Sequence, residues 1–556
     1  MSAFRRRFVA AVVWVSVASS VRTPTQTSAR PATVGANGYA GNQACADCHS
    51  SIYNAYAKTS MAQASGPAID NLSPADFVHQ KSGVHYRIDA DDGKVWLSFE
   101  RRNDASVRGK RELLYSIGSG RRGRSYLFAE DGFLFESPVN WYTDRHVWDM
   151  APAYGNATEI PMNLPAFTSC LHCHFSGMKP PVLGTENRYP IPPFSYPGVT
   201  CERCHGPGAA HTKGGAIVNP AKLDATRRDA VCMQCHLEGK AAIERPGRHI
   251  YDFQPGQQLS DYVRYFVFAE QQRPGLGAVS QFEALAESVC KKKSGEAMSC
   301  TSCHDPHKQP SAAERVSYYR QKCLACHGAK YGTTHHSDQT DCTSCHMPSS
   351  LSADVAHTEV TDHRILRRPQ VSPQLLQDPQ PALPRLVRFP DSQKTDEDLR
   401  DLALAWESLV NSGMTAATAE TERLLSSAIK TSPNDPALLS ALAYSAQKKG
   451  DIDQAREFYK KALAVDPTLI DAATNLGAIE AGRGQLREAL RLWEDAFQRA
   501  PGESRIGMNI ARLFCDAGQP SASRNYVLRV LEFNPDLPEA KSLLQHLNAS
   551  APKCKD

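Results

Sequence analysis

The pentapeptide Cys-x-x-Cys-His occurs seven times in this 556-residue chain. The copies are Cys45-Ala-Asp-Cys48-His49, Cys170-Leu-His-Cys173-His174, Cys201-Glu-Arg-Cys204-His205 and Cys232-Met-Gln-Cys235-His236, then Cys300-Thr-Ser-Cys303-His304, Cys323-Leu-Ala-Cys326-His327 and Cys342-Thr-Ser-Cys345-His346. Two thiols three residues apart can add to the two vinyl groups of one haem, and the next imidazole then reaches the iron as proximal ligand. Half a zinc site or a redox dithiol also uses two cysteines at this spacing. Neither requires the histidine that here follows every pair. Two cysteines in each of seven copies take up fourteen of the 17. The expectation is seven covalently attached haem c groups, each iron held by its motif histidine.

The second axial ligand decides what each iron does. Two histidines saturate it for electron transfer, whereas an open position admits a substrate. Of the 19 histidines, seven belong to the motifs and twelve do not. His546 lies near the C-terminus and His172 inside a motif, where it is a poor partner. His211 follows the third motif by one short turn, His307 is three residues beyond His304, His335 and His336 precede the last motif, and His357 and His363 follow it. These are the distal candidates, with His79 added and His146 and His249 in reserve; His85 reads as a surface or core strand residue. After the first motif no histidine appears before His79, but Met61 does. It is either a thioether ligand, which would raise that haem's potential, or a helix-packing side chain. With Met61, His79, His211, His307, one of His335 and His336, His357 and His363, seven partners face seven irons.

The elements that must position these ligands differ along the chain. Residues 1–22, with Arg5-Arg6-Arg7 before an apolar stretch, read as an export signal. Residues 38–75 hold the first motif alone. Residues 76–160 read as a small β insert: Val84–Ile88 and Val95–Phe99 alternate about Asp92-Gly93, and Asp131-Gly132 marks a second turn. Its Arg121, Arg122 and Arg124 either cradle an anion or neutralise haem propionates. Residues 161–368 crowd six motifs at spacings that leave a helix and a turn per haem, so the haems lie close together. Six prolines in 369–390 make residues 369–396 a linker.

From 397 to 549 the style changes. Pro433, Pro467, Pro501 and Pro535 recur every 34 residues, as do Gly450, Gly484 and Gly518. Ala443, Gly477 and Ala511 keep small residues at one position, Ala455, Ala489 and Ser523 at another, and Tyr459 and Trp493 fill an aromatic slot. A 34-residue period of this kind is the tetratricopeptide repeat. Such a stack docks a protein or peptide, or serves as a spacer or dimer contact. Cys515, on a repeat helix, is expected to be a buried free thiol. The formal charge of +4 omits two propionates per haem, so it supports neither nucleic-acid nor membrane-surface binding.

The stretch Gly118–Met150, Cys300-Thr-Ser-Cys-His-Asp-Pro-His307 and Cys342-Thr-Ser-Cys-His-Met-Pro348 with His357 and Thr361-Asp-His363 resemble exported multihaem c-type cytochromes carrying tetratricopeptide repeats. These belong to the cytochrome c554, nitrite reductase and hydroxylamine oxidoreductase superfamily. The resemblance implies His211, His307, His335 or His336, His357 and His363 as distal ligands. The Cys-x-x-Cys-Lys site of pentahaem nitrite reductases and the eighth haem of octahaem enzymes have no counterpart here. The expected fold is mainly α: a loop-rich haem domain with a small antiparallel β insert, then an α-solenoid. The expected function is electron transfer in the periplasm or at the cell surface, between redox partners such as other cytochromes or a membrane quinol-linked complex. The alternative is reduction or oxidation of a small nitrogen or sulfur oxyanion at one five-coordinate haem, steered by Arg121, Arg122 and Arg124. No transmembrane span is expected after signal removal.

Overall fold

The computed structural model describes residues 38–160, 162–269, 279–334, 341–351, 359–367, 383–390 and 397–549. The export signal expected at 1–22 and the candidate ligands His335, His336 and His357 lie outside these residues.

A helix at Asn42–Tyr56 carries the first motif and leads into a nine-stranded antiparallel sheet. Its strands are β1 (Ser65–Pro67), β2 (Ala75–His79), β3 (Val84–Asp91), β4 (Lys94–Arg101), β5 (Asp104–Ile117), β6 (Gly123–Glu130), β7 (Phe133–Glu136), β8 (Val139–Tyr142) and β9 (Val147–Met150). The order is β2-β3-β4-β5-β6-β8-β9, with β1 on β5 and β7 on β6. Asp92 and Gly93 turn β3 into β4 with φ of +50° and +73°, the doubly left-handed turn that matches strand twist. Val84, Tyr86 and Ile88 are buried in alternation, as are Val95, Leu97 and Phe99, so one face is core.

This sheet corrects the expectation of a mainly α chain with a small β insert. The N-terminal part is rich in antiparallel strands. Asp104–Arg111 is too charged to read as strand, yet it extends β5 to 14 residues, because it pairs with β4 through Gly109 and Arg108. A second sheet joins Ala241–Glu244, Val263–Phe268 and Leu386–Phe389. The last of these strands falls inside the stretch read as linker. Val387 and Phe389 pair with Val267 and Tyr265 there, and the strand stops before Pro390.

Helix pairs run from Glu397 to Leu547. Ala443, Ala455, Ala489, Ala511 and Ser523 are all fully buried where helices cross, and a Cβ on Gly477 would meet the Trp493 indole nitrogen at 2.5 Å. The expected small-residue positions are therefore helix contacts. Cys515 is buried and disulfide-bonded, which corrects the reading of a free thiol.

Both ends of the repeat stack are held. At its start, Asp401 is fully buried and accepts from Arg245 (2.6 Å), Arg264 (3.1 Å) and Arg400 (2.7 Å), while Asp398 accepts from Arg264 and Arg388. At its end, Phe533 enters the core of the nine-stranded sheet beside Phe133 and Phe135. Asp536, 2% exposed, pairs with Arg101 and Lys541. The repeats are an integral part of the molecule rather than an appendage.

Between Leu285 and Leu386, in contrast, no apolar side chain of the described residues is buried. This stretch holds the last three motifs. Even the long helix Arg315–Thr334 has no buried face among its described side chains. Such a segment needs apolar surface from elsewhere, which a porphyrin would supply.

Candidate haem centres

Each motif rides on a helical element, which puts its two cysteines, three residues apart, on one face. The helix then ends at the histidine or breaks beside it. His174, His205, His236 and His346 are the last residues of their helices. His49 is a non-helical kink (φ −116°, ψ 39°), and Gly328 after His327 takes φ +69°. Ending the helix there lets the imidazole swing off the helix axis towards whatever the thiols hold.

The rings are oriented by their second nitrogen. Nδ1 of His174 donates to the Ala64 carbonyl at 3.0 Å, that of His205 to Val218 O at 2.9 Å, and that of His346 to Leu366 O at 2.5 Å. A carbonyl only accepts, so the proton is on Nδ1 and the lone pair on Nε2. This is the outer-shell arrangement of metal-bound histidine. Among the expected distal ligands, His211 donates in the same way to Gly215 O (2.9 Å) and His363 to Thr361 O (2.7 Å). His236 faces Gln281 Oε1 at 3.2 Å and His304 the Tyr319 hydroxyl at 3.3 Å.

Two expected distal histidines stand opposite motif histidines. His307 faces His205 with ring centroids 5.9 Å apart and planes 7° from parallel. His363 faces His304 at 6.2 Å and 29°. With a metal–nitrogen bond of about 2 Å on each side and the half-width of each ring added, two axial imidazoles have centroids about 6 Å apart. Burial pushes the His304 pKa down to about 4, with the neighbouring His363 adding to the effect, and burial lowers His363 and His174 as well. These rings are neutral at neutral pH, the form that binds metal.

The remaining candidates sit elsewhere. His79 is buried on β2 with Nδ1 2.9 Å from Ser82 Oγ, and His211 is exposed in a short 3-10 turn. Neither has a facing motif ring among the described residues. Met61 is half-buried after the first helix, and its carbonyl accepts from Val199 N at 3.0 Å. His85 is a surface residue between Asp76 and Glu100. Arg122 of the arginine loop pairs with Asp144 at 2.9 Å.

Elements that carry different motifs meet. Cys201 N donates to Asn42 Oδ1 on the helix of the first motif at 2.9 Å, Arg203 of the third motif bonds His172 of the second, and Gln234 of the fourth bonds the Arg203 carbonyl. Cys300 of the fifth packs against the core that holds Met233 of the fourth, the Tyr319 hydroxyl on the helix of the sixth lies 3.3 Å from His304, and that helix packs against the helix of the seventh. Among the described residues, no three His, Cys, Asp or Glu side chains converge as they would around a protein-held ion. The histidine pairs, the carbonyl-bound Nδ1 atoms and the missing apolar core all fit haem.

Sequence reading set His172 aside as a ligand and passed over Glu202, Arg203 and Gln234. All four are buried; Arg203 bonds His172 and its carbonyl accepts from Gln234, while Glu202 bonds the segment before the first motif. The sole hint was an acid and a base side by side in the third motif.

Family models agree with this geometry. One described as a doubled CXXCH motif matches residues 293–332, and one described as cytochrome c554 and c-prime matches 141–206. Tetratricopeptide repeat models match 436–469 and 480–547. The chain is a multihaem c-type cytochrome fused to C-terminal tetratricopeptide repeats. The cytochrome is 26% identical over 183 residues to multiheme cytochrome MtrA of Shewanella baltica (strain OS185), across 30% of this chain and 53% of that protein. It is 34% identical over 95 residues to the protein CTR9 homolog of Arabidopsis thaliana, across 16% of this chain and 8% of that protein. It therefore spans about half the length of the first relative and a small part of the second. Among solved structures, MamA 41-end from Desulfovibrio magneticus RS-1 is 19% identical, covering 28% of this chain and 83% of its own, with a TM-score of 0.24. A tetratricopeptide repeat protein from Parabacteroides merdae is 19% identical over 27% of this chain and 58% of its own, at 0.24. No helix of the described residues is long and apolar enough to cross a membrane.

Proposed function

We propose that this cytochrome is an exported electron carrier, in the periplasm or at the cell surface. Seven haem c groups relay electrons between redox partner proteins, and the repeats dock a protein or peptide partner. The observation that carries this reading is the continuity of contacts between the elements that bear the motifs. They link the third motif to the first, second and fourth, the fourth to the fifth, the fifth to the sixth and the sixth to the seventh. A connected series of motifs serves transfer along its length, whereas one isolated site would serve a substrate. The facing pairs His205–His307 and His304–His363 support saturated irons at the third and fifth motifs.

The test is a mass measurement of the purified holoprotein together with low-temperature EPR of its oxidised form. The expected mass exceeds that of the polypeptide by seven haems, and the expected spectrum is low-spin and indifferent to nitrite, hydroxylamine and cyanide. A high-spin haem that responds to one of these would overturn the carrier reading in favour of an oxyanion-transforming enzyme.

A further inference from the structure

The two residues between the cysteines of the third motif are an acid and a base, Glu202 and Arg203. Both are buried, at 0% and 6% exposure, and they bond different segments. Glu202 Oε1 accepts the backbone N–H groups of Ala40 (2.6 Å) and Gly208 (2.9 Å), and Oε2 accepts that of Gly41 (2.9 Å). Ala40 and Gly41 lead into the helix of the first motif, and the Cys45 thiol lies 3.6 Å from the Gly41 carbonyl. Three backbone donors on one carboxylate are the surroundings of a charged group.

Arg203 bonds the second and fourth motifs. Its Nη2 donates to Nε2 of His172 at 2.9 Å and to the His172 carbonyl at 3.0 Å. His172 stands between the cysteines of the second motif and is 1% exposed. Gln234, between the cysteines of the fourth motif, donates to the Arg203 carbonyl at 3.2 Å. The guanidinium is always charged, yet the groups it bonds here are uncharged acceptors. A charge without an ionic partner in a low-dielectric interior acts over a long range.

We propose that Glu202 and Arg203 form a fixed dipole that holds the reduction potential at the first motif below the potentials at the second and fourth. The ferric state carries one more positive charge than the ferrous. A carboxylate beside Cys45 therefore favours the oxidised form and lowers the potential, and a guanidinium beside Cys173 and Cys235 favours the reduced form and raises it. The third motif, by its own two intervening residues, gives the junction of the first four motifs a direction. Electrons are more stable at the second and fourth motifs than at the first. The inference rests on haem attachment at these motifs; its use in a relay rests on the carrier reading above.

The test is EPR-monitored potentiometric titration of the holoprotein, with signals assigned through Cys45→Ala/Cys48→Ala and Cys232→Ala/Cys235→Ala variants. In the wild type, the first-motif potential is expected below that of the fourth. Glu202→Gln should shift the first-motif potential upward, Arg203→Gln should shift those of the second and fourth downward, and Arg203→Lys should retain them. Opposite signs are a readout that mere loosening of the fold does not give. Shifts of one sign in both glutamine variants, or none at full haem complement, overturn the proposal. If a glutamine variant loses haem, the wild-type order and Arg203→Lys still decide, and a first-motif potential at or above the fourth sinks the idea. A haem missing from the fifth, sixth or seventh motif would damage the carrier reading alone.

Discussion

The imidazoles of His205 and His307 lie 7° from parallel with centroids 5.9 Å apart, although 101 residues separate them in sequence. Nδ1 of His205 is committed to the Val218 carbonyl, so its lone pair is on Nε2. If an iron fills the gap between the two rings, His307→Ala removes one axial bond and leaves the covalent thioethers in place. The expected result is conversion of one low-spin EPR signal to high-spin, with the haem complement unchanged by mass. Added imidazole should restore the low-spin signal.

The His304–His363 pair allows a finer test. Replacing an imidazole by a thioether keeps six ligands but raises the potential. His363→Met is expected to leave an optical spectrum without high-spin bands and to shift one of the potentials upward in a redox titration. A high-spin product would mean that residue 363 cannot reach the iron.

Asp401 is the acceptor on which three arginines depend. With Asp401→Ala, Arg245, Arg264 and Arg400, each 15% exposed or less, lose a shared carboxylate. Breaking a buried ionic network by removing one member destabilises by about 3–5 kcal/mol. Thermal unfolding followed by far-UV circular dichroism should show the repeats melting markedly earlier, while the low-spin haem spectrum persists at low temperature. For the same reason, cutting off the repeats is a poor probe of docking, since it removes Asp398 and Asp401, the acids that Arg264, Arg245 and Arg388 bond.

The motifs and the repeats were legible because their chemistry demands a fixed spacing. Cysteines must bracket two vinyl groups, and Ala443, Gly477 and Ala511 must recur where helices cross. The hairpin at Asp92-Gly93 was equally plain, since that turn needs two left-handed residues. The extent of the sheet was not, because Asp104–Arg111 joins it by backbone pairing, which charged side chains disguise. The strand Leu386–Phe389 was hidden among prolines for a related reason: its partner Val263–Phe268 is more than a hundred residues away. The pairings of His205 with His307 and His304 with His363 are tertiary facts. Sequence offered His307 and His363 as ligands but could not say which iron each one faces. Glu202, Arg203 and His172 were invisible because burial, not residue type, gives them their role.

Phe533 belongs to a repeat helix but is 2% exposed within the sheet core. Its ring lies 5.7 Å from that of Phe135 and 6.4 Å, edge-on, from that of Phe133. Phe533→Ala should therefore destabilise by about 3–5 kcal/mol through lost burial and a cavity. Limited proteolysis should then cut the last repeat first, while the start of the stack, held by Asp398 and Asp401, resists longer. Equal cleavage rates in variant and wild type would show that the last repeat is not anchored through this ring.

Acid should weaken the same junction from another side. Lys541 bonds Asp104 and, with the hydroxyl and N–H of Ser106, holds its pKa down at about 2 from an ordinary 3.8. A carboxyl whose folded pKa is depressed adds stability that is present above its unfolded pKa and is lost as the pH falls through the folded one. The window here runs from about pH 4 down to about pH 2. The Asp104 side chain is 32% exposed, so the effect is modest and partly screened by salt. Asp104→Asn removes the titrating group, and its melting temperature should fall less steeply between pH 4 and pH 2 than that of the wild type. At neutral pH the variant should already be slightly less stable. The difference between the two proteins should shrink in high salt, as expected of an exposed ion pair that ties the β-sheet to the last repeat.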